Sequence, residues 1–298
     1  MDIINSHLGE TFSLLAAINW AFAVILFRKS GETVHPIGLN LFKNTLSIVL
    51  LVPTIYIFGQ TLFYPAPSSH YLLFLFSGAL GIGLSDTLFF KSLNLLGAGL
   101  SAIVTCMYSP FIIILSFLYL DEALTLVQFV GVVVILFAVL AAAGRENSSD
   151  VSRKAVLRGI LLGVLSMACN AVSVVAIKPV LEISPLLWVT EIRLIGGAVV
   201  LLVVLALHSS RRTIIRSVFS AKHWGYTVSG SFMGAYLAMI IWLAGMKYTQ
   251  ASIAAAINQT STIFTFVFAA LLLREKVTLL RVLGIVLGFS GALLVTFG

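Results

Sequence analysis

The chain has 298 residues, of which 60% are hydrophobic and 10% charged, with a mean hydropathy of +1.09 and a formal net charge of +7. Soluble domains carry nearer about 25% charged residues, and here apolar runs of roughly 20 residues, the span of a bilayer's hydrocarbon at about 1.5 Å per helical residue, recur along the whole sequence. A large soluble core is therefore excluded, and no polar stretch is long enough to form a second, soluble domain.

Met1 to Glu10 carries Asp2 and Glu10 but no lysine or arginine, so it lacks the basic start of a secretory signal and the first helix is expected to be retained. Apolar runs between turn and charge signals predict helices near 10–28, 36–58, 70–94, 99–120, 125–143, 156–178, 185–207, 223–246, 250–272 and 278–297. Lys29-Ser-Gly31, His35-Pro36 and Tyr64-Pro-Ala-Pro67 break the chain between them, and Thr125 and Thr278 can each cap the helix that follows. The expected fold is thus an all-α polytopic membrane protein of ten transmembrane helices. Trp188 and Trp224, at helix starts, read as anchors in the headgroup layer.

Basic residues collect on one side. Arg28, Lys29, Arg145, Arg153, Lys154, Arg158, Arg211, Arg212, Arg216, Lys222, Arg274, Lys276 and Arg281 share it, and the other side holds little beyond Lys178 and Lys247. Basic loops resist translocation, which puts the Arg145–Arg158 region inside and both termini outside an integral plasma (inner) membrane. The net positive charge is thereby a sign of topology and gives no reason to expect nucleic-acid binding. Between Arg211 and Lys222, Ile214, Ile215, Val218 and Phe219 fall on one helical face, as in a short helix lying on the inner surface.

An offset of 153 aligns His70–Ala143 with His223–Thr296 without a gap, pairing Gly81 with Gly234, Ala98 with Ala251, Phe111 with Phe264, Glu122 with Glu275, Thr125 with Thr278 and Gly131 with Gly284. The chain reads as a first five-helix repeat over 1–144, a polar linker over 145–155, and a second repeat over 156–298. Five is odd, so the second repeat enters the membrane inverted, an arrangement associated with secondary transporters whose site lies near the midplane. Glu122 and Glu275, each three residues before a threonine cap, read as structural capping groups.

The paired segments "LDEALTLVQFVGVVVILFAVL" and "LREKVTLLRVLGIVLGFSGALLV", preceded by "SDTLFFKSLNLLGAGLSAIV" and "GMKYTQASIAAAINQ", resemble the two halves of an EamA-type transporter of the drug/metabolite transporter superfamily. The resemblance covers essentially the whole chain. It implies a cavity lined by helices one to four and six to nine, peripheral helices five and ten, and export or exchange of small metabolites such as amino acids. One departure is that Asn19-Trp20 in the first helix faces Cys169-Asn170 in its counterpart, where no tryptophan stands.

Charge inside a span costs on the order of 2.5–3.5 kcal/mol on insertion scales, so each such residue needs a partner or a wet cavity. Asp86 is expected about 6 Å inward of the midplane, and Lys43 at equal depth on the antiparallel second helix, so that either a cavity-facing acid or a structural pair with Lys43 is open to Asp86. Lys91, nearer the helix end, reads as snorkelling. Glu191 and Arg193, two residues apart, face different neighbours on helix seven. Asn19, Trp20, Tyr108, Asn170, Asn258 and Gln259 converge on the same level. Pro110 frees the Cys106 carbonyl, which could then accept from a ligand. Helix packing is the bland alternative for the hydroxyl and amide groups, and Gly159/Gly163 and Gly284/Gly288 allow close approach within the protein or between copies.

The substrate-binding set is therefore Asn19, Trp20, Lys43, Asp86, Tyr108, Asn170, Glu191, Arg193, Asn258 and Gln259, with Asp86 and Glu191 as proton-coupling groups. A small-molecule substrate, protons and membrane lipids are the expected partners of a monomer or homodimer, with no cofactor and no metal. A zwitterion such as an amino acid suits two basic and two acidic groups, although the same four could pair among themselves. A lipid flippase would share the architecture. An intramembrane enzyme fits poorly, because there is no HExxH, the histidines lie at helix ends or in loops, and neither a Ser-His pair nor an aspartyl dyad can be assembled.

Overall fold

The computed structural model describes residues 8–119, 125–144, 153–249 and 251–297. Arg145, the linker proper and Glu122, with its expected capping role, lie outside the described residues. In chain order the helices are α1 (Leu8–Ser30), α2 (Pro36–Ile57), α3 (Ser68–Gly78), α4 (Asp86–Thr105), α5 (Tyr108–Tyr119), α6 (Leu126–Gly144), α7 (Arg153–Val175), α8 (Lys178–Ile183), α9 (Leu186–Leu207), α10 (Arg211–Phe219), α11 (Trp224–Ser231), α12 (Ala238–Tyr248), α13 (Ala251–Leu272) and α14 (Leu279–Phe297). Among the described residues, seven helical runs are long and apolar enough to cross a membrane, and Tyr108–Tyr119, Leu126–Ala138 and Leu279–Leu294 are shorter apolar helices. The protein is a multi-pass, all-helical membrane protein.

Helix starts follow the predicted chemistry. Thr125 and Gln128 form a reciprocal capping box, the Thr125 hydroxyl accepting from the Gln128 amide at 3.1 Å and the Gln128 side chain from the Thr125 amide at 3.0 Å. Thr278 accepts from the Arg281 amide at 3.3 Å. On the other side of the molecule, Lys178 donates to the Met246 and Thr249 carbonyls at 2.6 and 3.1 Å, and Lys247 donates to the Ser184 carbonyl. These two lysines thus neutralise carbonyls at helix ends, where cations are favoured.

Two interruptions were not legible in the apolar pattern. A π turn over Ala79–Ser85 joins α3 to α4, and a second over Phe232–Leu237 joins α11 to α12. Their first residues, Ala79 and Phe232, are 153 apart, the offset of the sequence match. π turns loosen the regular hydrogen-bond ladder and leave carbonyls in search of donors. In the first turn Asn40 of α2 supplies them, donating to the Ile82 and Gly83 carbonyls at 2.8 and 3.1 Å and to the Thr87 hydroxyl at 2.9 Å.

Glycine permits the closest crossing. A Cβ on Gly78 would lie 1.8 Å from the Arg193 carbonyl, and one on Gly196 2.2 Å from the Leu75 carbonyl, so α3 and α9 touch backbone to backbone. Gly159 and Gly163 of α7 likewise seat on Leu96 and Val104 within the chain. The principal neighbour of α6 is α14, where Gly291 meets Ile135 and the Gly131 carbonyl.

At Gly97 (φ 77°) the helical path of α4 breaks, near the predicted boundary between the third and fourth helices. The restarted amides of Ala98 and Gly99 donate to the two carboxylate oxygens of Glu275 at 2.8 and 3.0 Å, and Arg281 pairs with the same carboxylate at 3.5 Å. Glu275 is a capping group as expected, but for a helix in the other part of the chain rather than for the one that follows it. The sequence placed it by proximity to Thr278; tertiary contact decides instead.

The surface helix α10 is corrected in one respect. Ile214 and Val218 are buried against Ile37, Leu201, Leu205 and Gly38, whereas Ile215 and Phe219 are exposed, the latter at 74%. The apolar face is divided between the protein and its surroundings.

Gly97→Ala forces a Cβ to 2.9 Å from Glu275 Oε1 at a positive φ. A loss of about 1–2 kcal/mol is expected, read as a lowered thermal midpoint of the detergent-solubilised protein, while Gly59→Ala, also at positive φ but in open space, costs less. A pH effect follows from His35, whose Nδ1 accepts from the Ile37 amide at 3.3 Å before α2. Burial, then the charges of His208 and Lys91, lower its pKa below the ordinary 6.5, so the folded chain favours neutral imidazole. A folded value below the unfolded one gives stability that is complete above the unfolded value and lost as pH falls through the folded one. The thermal midpoint is expected to drop from pH 7 to pH 5, and His35→Asn, which keeps an acceptor without titrating, should flatten that drop.

Candidate functional site

A cavity of about 1000 Å³, counting its open mouth, lies among α1, α2, the two π turns, α4, α5, α7, α9, α12 and α13. Among the described residues, none of α6 or α14 lines it. Aromatic rings of Trp20, Phe89 and Trp242 form part of the wall; Trp20 lies 5.8 Å from Phe89, centroid to centroid.

The first π turn delivers Asp86 to this wall. Its Oδ2 accepts from Lys43 Nζ at 2.7 Å, and Lys43 also donates to Asn44 at 3.1 Å and sits 5.9 Å from the Phe90 ring. Lys43 is 1% exposed and lines the cavity beside its partner. Of the two possibilities for Asp86, cavity wall and structural pair, both hold at once. Short N–H···O geometry between opposite charges offsets the desolvation of each, and loss of either one would strand the other.

Arg193 enters from α9, one turn from the glycine crossing. It is 1% exposed, its guanidinium lies 5.8 Å from the Trp242 ring, and one nitrogen donates to Ser173 at 3.5 Å. Its Nε and Nη1 have no hydrogen-bond partner. The hydroxyls of Tyr108 and Ser101, both in the cavity wall, are likewise buried and unpartnered.

Gln259 of α13 reaches across to the break between α4 and α5. Its amide donates to the Cys106 carbonyl at 3.1 Å, to the Thr105 carbonyl at 3.4 Å and to Ser109 at 3.0 Å. The carbonyl freed by Pro110 is therefore already used inside the protein rather than held open for a ligand.

Sequence comparison agrees with this architecture. A family model for the EamA-like transporter family matches the chain twice, over residues 7–143 and 157–297. The chain belongs to that family. An uncharacterized transporter of Archaeoglobus fulgidus is 22% identical over 273 residues, 92% of either chain. Shorter likenesses join it to a WAT1-related protein of Arabidopsis thaliana, 38% over 93 residues and 29% of this chain against 27% of that one, and to an uncharacterized transporter of Acidianus ambivalens, 32% over 101 residues and 34% of each. A solved crystal structure superposes with a TM-score of 0.69 over 98% of this chain and 96% of its own at 16% identity, which speaks for the fold alone.

Within this EamA-like chain, the residues singled out from sequence divide cleanly. Trp20, Lys43, Asp86, Tyr108, Asn170, Arg193, Asn258 and Gln259 all line the cavity. Asn19 does not; its amide donates to the Met233 carbonyl at 2.8 Å, tying α1 to the second π turn. Glu191 does not either. It is 3% exposed with Oε2 unpartnered, on the face of α9 it shares with Leu187 and Leu194, which pack on Leu51, Ile55 and Ile82. Trp188, expected in the headgroup layer, is fully buried among Tyr64, Tyr71 and Phe74, because its α9 face meets α3. Trp224 is 36% exposed and packs on Phe42. Trp242 and Ser101 were missed: a tryptophan near a predicted helix end resembles an anchor, and one serine in a span resembles any other.

Removing one charge of the Lys43–Asp86 pair is expected to cost about 3–5 kcal/mol, and replacing both by apolar residues much less. Thermal midpoints of Lys43→Met, Asp86→Leu and the double variant read this out: the double variant should be more stable than either single one.

Proposed function

We propose that the chain is a secondary transporter, an exporter or exchanger of small metabolites such as amino acids, working by alternating access in the plasma membrane. Its repeats, 1–144 and 156–298 about the linker 145–155, are inverted, and both termini face outward as the basic loops indicate. Ten crossings follow if the helical run over Ser68–Thr105 is cut at Gly97, its last turns joining Tyr108–Tyr119, and if α6 and α14 also span. The observation that carries the proposal is the placement of the cavity: it lies where helices from both matched segments meet, and its wall includes both π turns, set 153 residues apart. A site shared between two related units can open to either side when they rock.

Glu191 is the stronger of the two proton-carrying candidates. Asp86 already has Lys43 as a partner at 2.7 Å, whereas Glu191 has a buried oxygen without one. Uptake and release of that proton as the units move would couple substrate export to proton entry.

Counterflow in liposomes loaded in turn with amino acids, sugars, nucleosides, quaternary amines and a labelled lipid tests the reading. Exchange of a small polar solute, lowered by Asp86→Asn and by Arg193→Ala, is expected; unchanged exchange in both variants removes the site, and movement of the lipid alone makes the protein a flippase. Glu191→Gln should abolish the response to a pH gradient. If wild-type exchange ignores pH, the proton step is wrong.

A further inference from the structure

Resting on that transport reading, we infer that Arg193, with the hydroxyl of Tyr108, forms a subsite for a carboxylate, so that the transported molecule is an organic acid whose apolar body lies against Trp20, Phe89 and Trp242.

Charge accounting in the wall leads there. Lys43 and Asp86 neutralise each other at 2.7 Å, and Arg193 is the remaining formal charge among the described cavity residues. Asp86 gives its Oδ2 to Lys43, and among the described residues no carboxylate lies within ion-pair distance of Arg193. A guanidinium offers five N–H donors in a planar fork. Here Nε and Nη1 are unsatisfied and the contact to Ser173, at 3.5 Å, is at the limit of a hydrogen bond. An arginine 1% exposed in an apolar bundle with most of its donors idle is costly.

The surroundings select among possible occupants. Tyr108 adds a buried hydroxyl without a partner, able to donate to an anion. A carboxylate matches the fork in its plane and takes two of its hydrogen bonds at once. A neutral amide would leave the positive charge uncompensated, and an amine would oppose it. Beyond Arg193 and the Lys43–Asp86 pair, the described wall carries no further charge, and the rings of Trp20, Phe89 and Trp242 suit an uncharged, apolar remainder of the molecule. For a zwitterion, the acid present among the described wall residues is already bound to Lys43, so the ammonium is the less well served end.

The position of Arg193 also ties recognition to movement. Its own carbonyl forms the floor of the Gly78 contact, and a Cβ on Gly81 would lie 3.4 Å from its guanidinium, so the subsite is built on the α3–α9 crossing beside the first π turn.

The test uses 3-phenylpropanoate, its isosteric amide 3-phenylpropanamide, the cation 3-phenylpropylamine and the zwitterion phenylalanine, titrated calorimetrically into the detergent-solubilised full chain. The acid is expected to bind at least about tenfold more tightly than the amide or the amine, as one charge-assisted hydrogen bond supplies, and more tightly than phenylalanine. Arg193→Gln should erase the preference for the acid over the amide. Arg193→Lys, which keeps the charge and loses the fork, should keep a reduced preference. Should Arg193→Gln fail to fold, Tyr108→Phe serves instead, lowering affinity for the acid but not for the amide. Equal binding of acid and amide by the wild type, or an acid preference that survives Arg193→Gln, overturns the subsite. An acid that binds through Arg193 yet is never exchanged across liposomes upholds the subsite and removes the transport reading.

Discussion

Everything about the centre of this bundle follows from the contact between Lys43 and Asp86. Two opposite charges, 2.7 Å apart and almost sealed from solvent, can persist among apolar helices only because each is the other's solvation. The geometry that permits it is set by neighbours. The π turn before α4 rotates Asp86 toward α2, and Asn40, three residues before Lys43 on α2, holds that turn by its freed carbonyls. Once the pair is made, the wall's charge is reduced to Arg193, and the chemistry of the cavity becomes that of one guanidinium set among aromatic rings.

How much of this was visible in the residues depends on range. Threonine caps at Thr125 and Thr278, the basic surface helix near Arg211 and the matching depth of Lys43 and Asp86 all came from local chemistry or simple rise per residue, and each has a counterpart in the structure. The positions that misled were decided across the fold. Asn19 looked like a polar lining residue because it sits beside Trp20, yet side chains of adjacent residues point some 100° apart on a helix, and one can meet the cavity while the other meets a neighbouring helix. Trp188 read as an interfacial anchor because it begins a helix, but α3 covers that end. Depth is legible in sequence; direction around the axis is not.

The π turns belong to the same lesson. Nothing in the hydropathy of Ala79–Ser85 distinguishes it from regular helix, since an extra residue per turn leaves composition untouched. The glycines at 78, 81 and 83 were the available hint; Gly78 and Gly83 also serve the crossing with α9, and Gly81 meets Ser173 of α7. Both duties fall on one short stretch, which places the irregular backbone beside the cavity, where freed carbonyls can find donors that lipid would never provide.

Glu275 has a wider consequence. By closing the amides of Ala98 and Gly99, a side chain from the last third of the chain completes a helix that starts before residue 100, and the same carboxylate holds Arg281. Such a bond acts as a rivet. It fixes one end of the assembly, while at the α3–α9 crossing bare glycine backbone meets backbone beside the ring contacts of Trp188 with Tyr71 and Phe74. The two parts therefore depend on each other at this point, and neither severed piece would by itself carry a finished helix at Ala98.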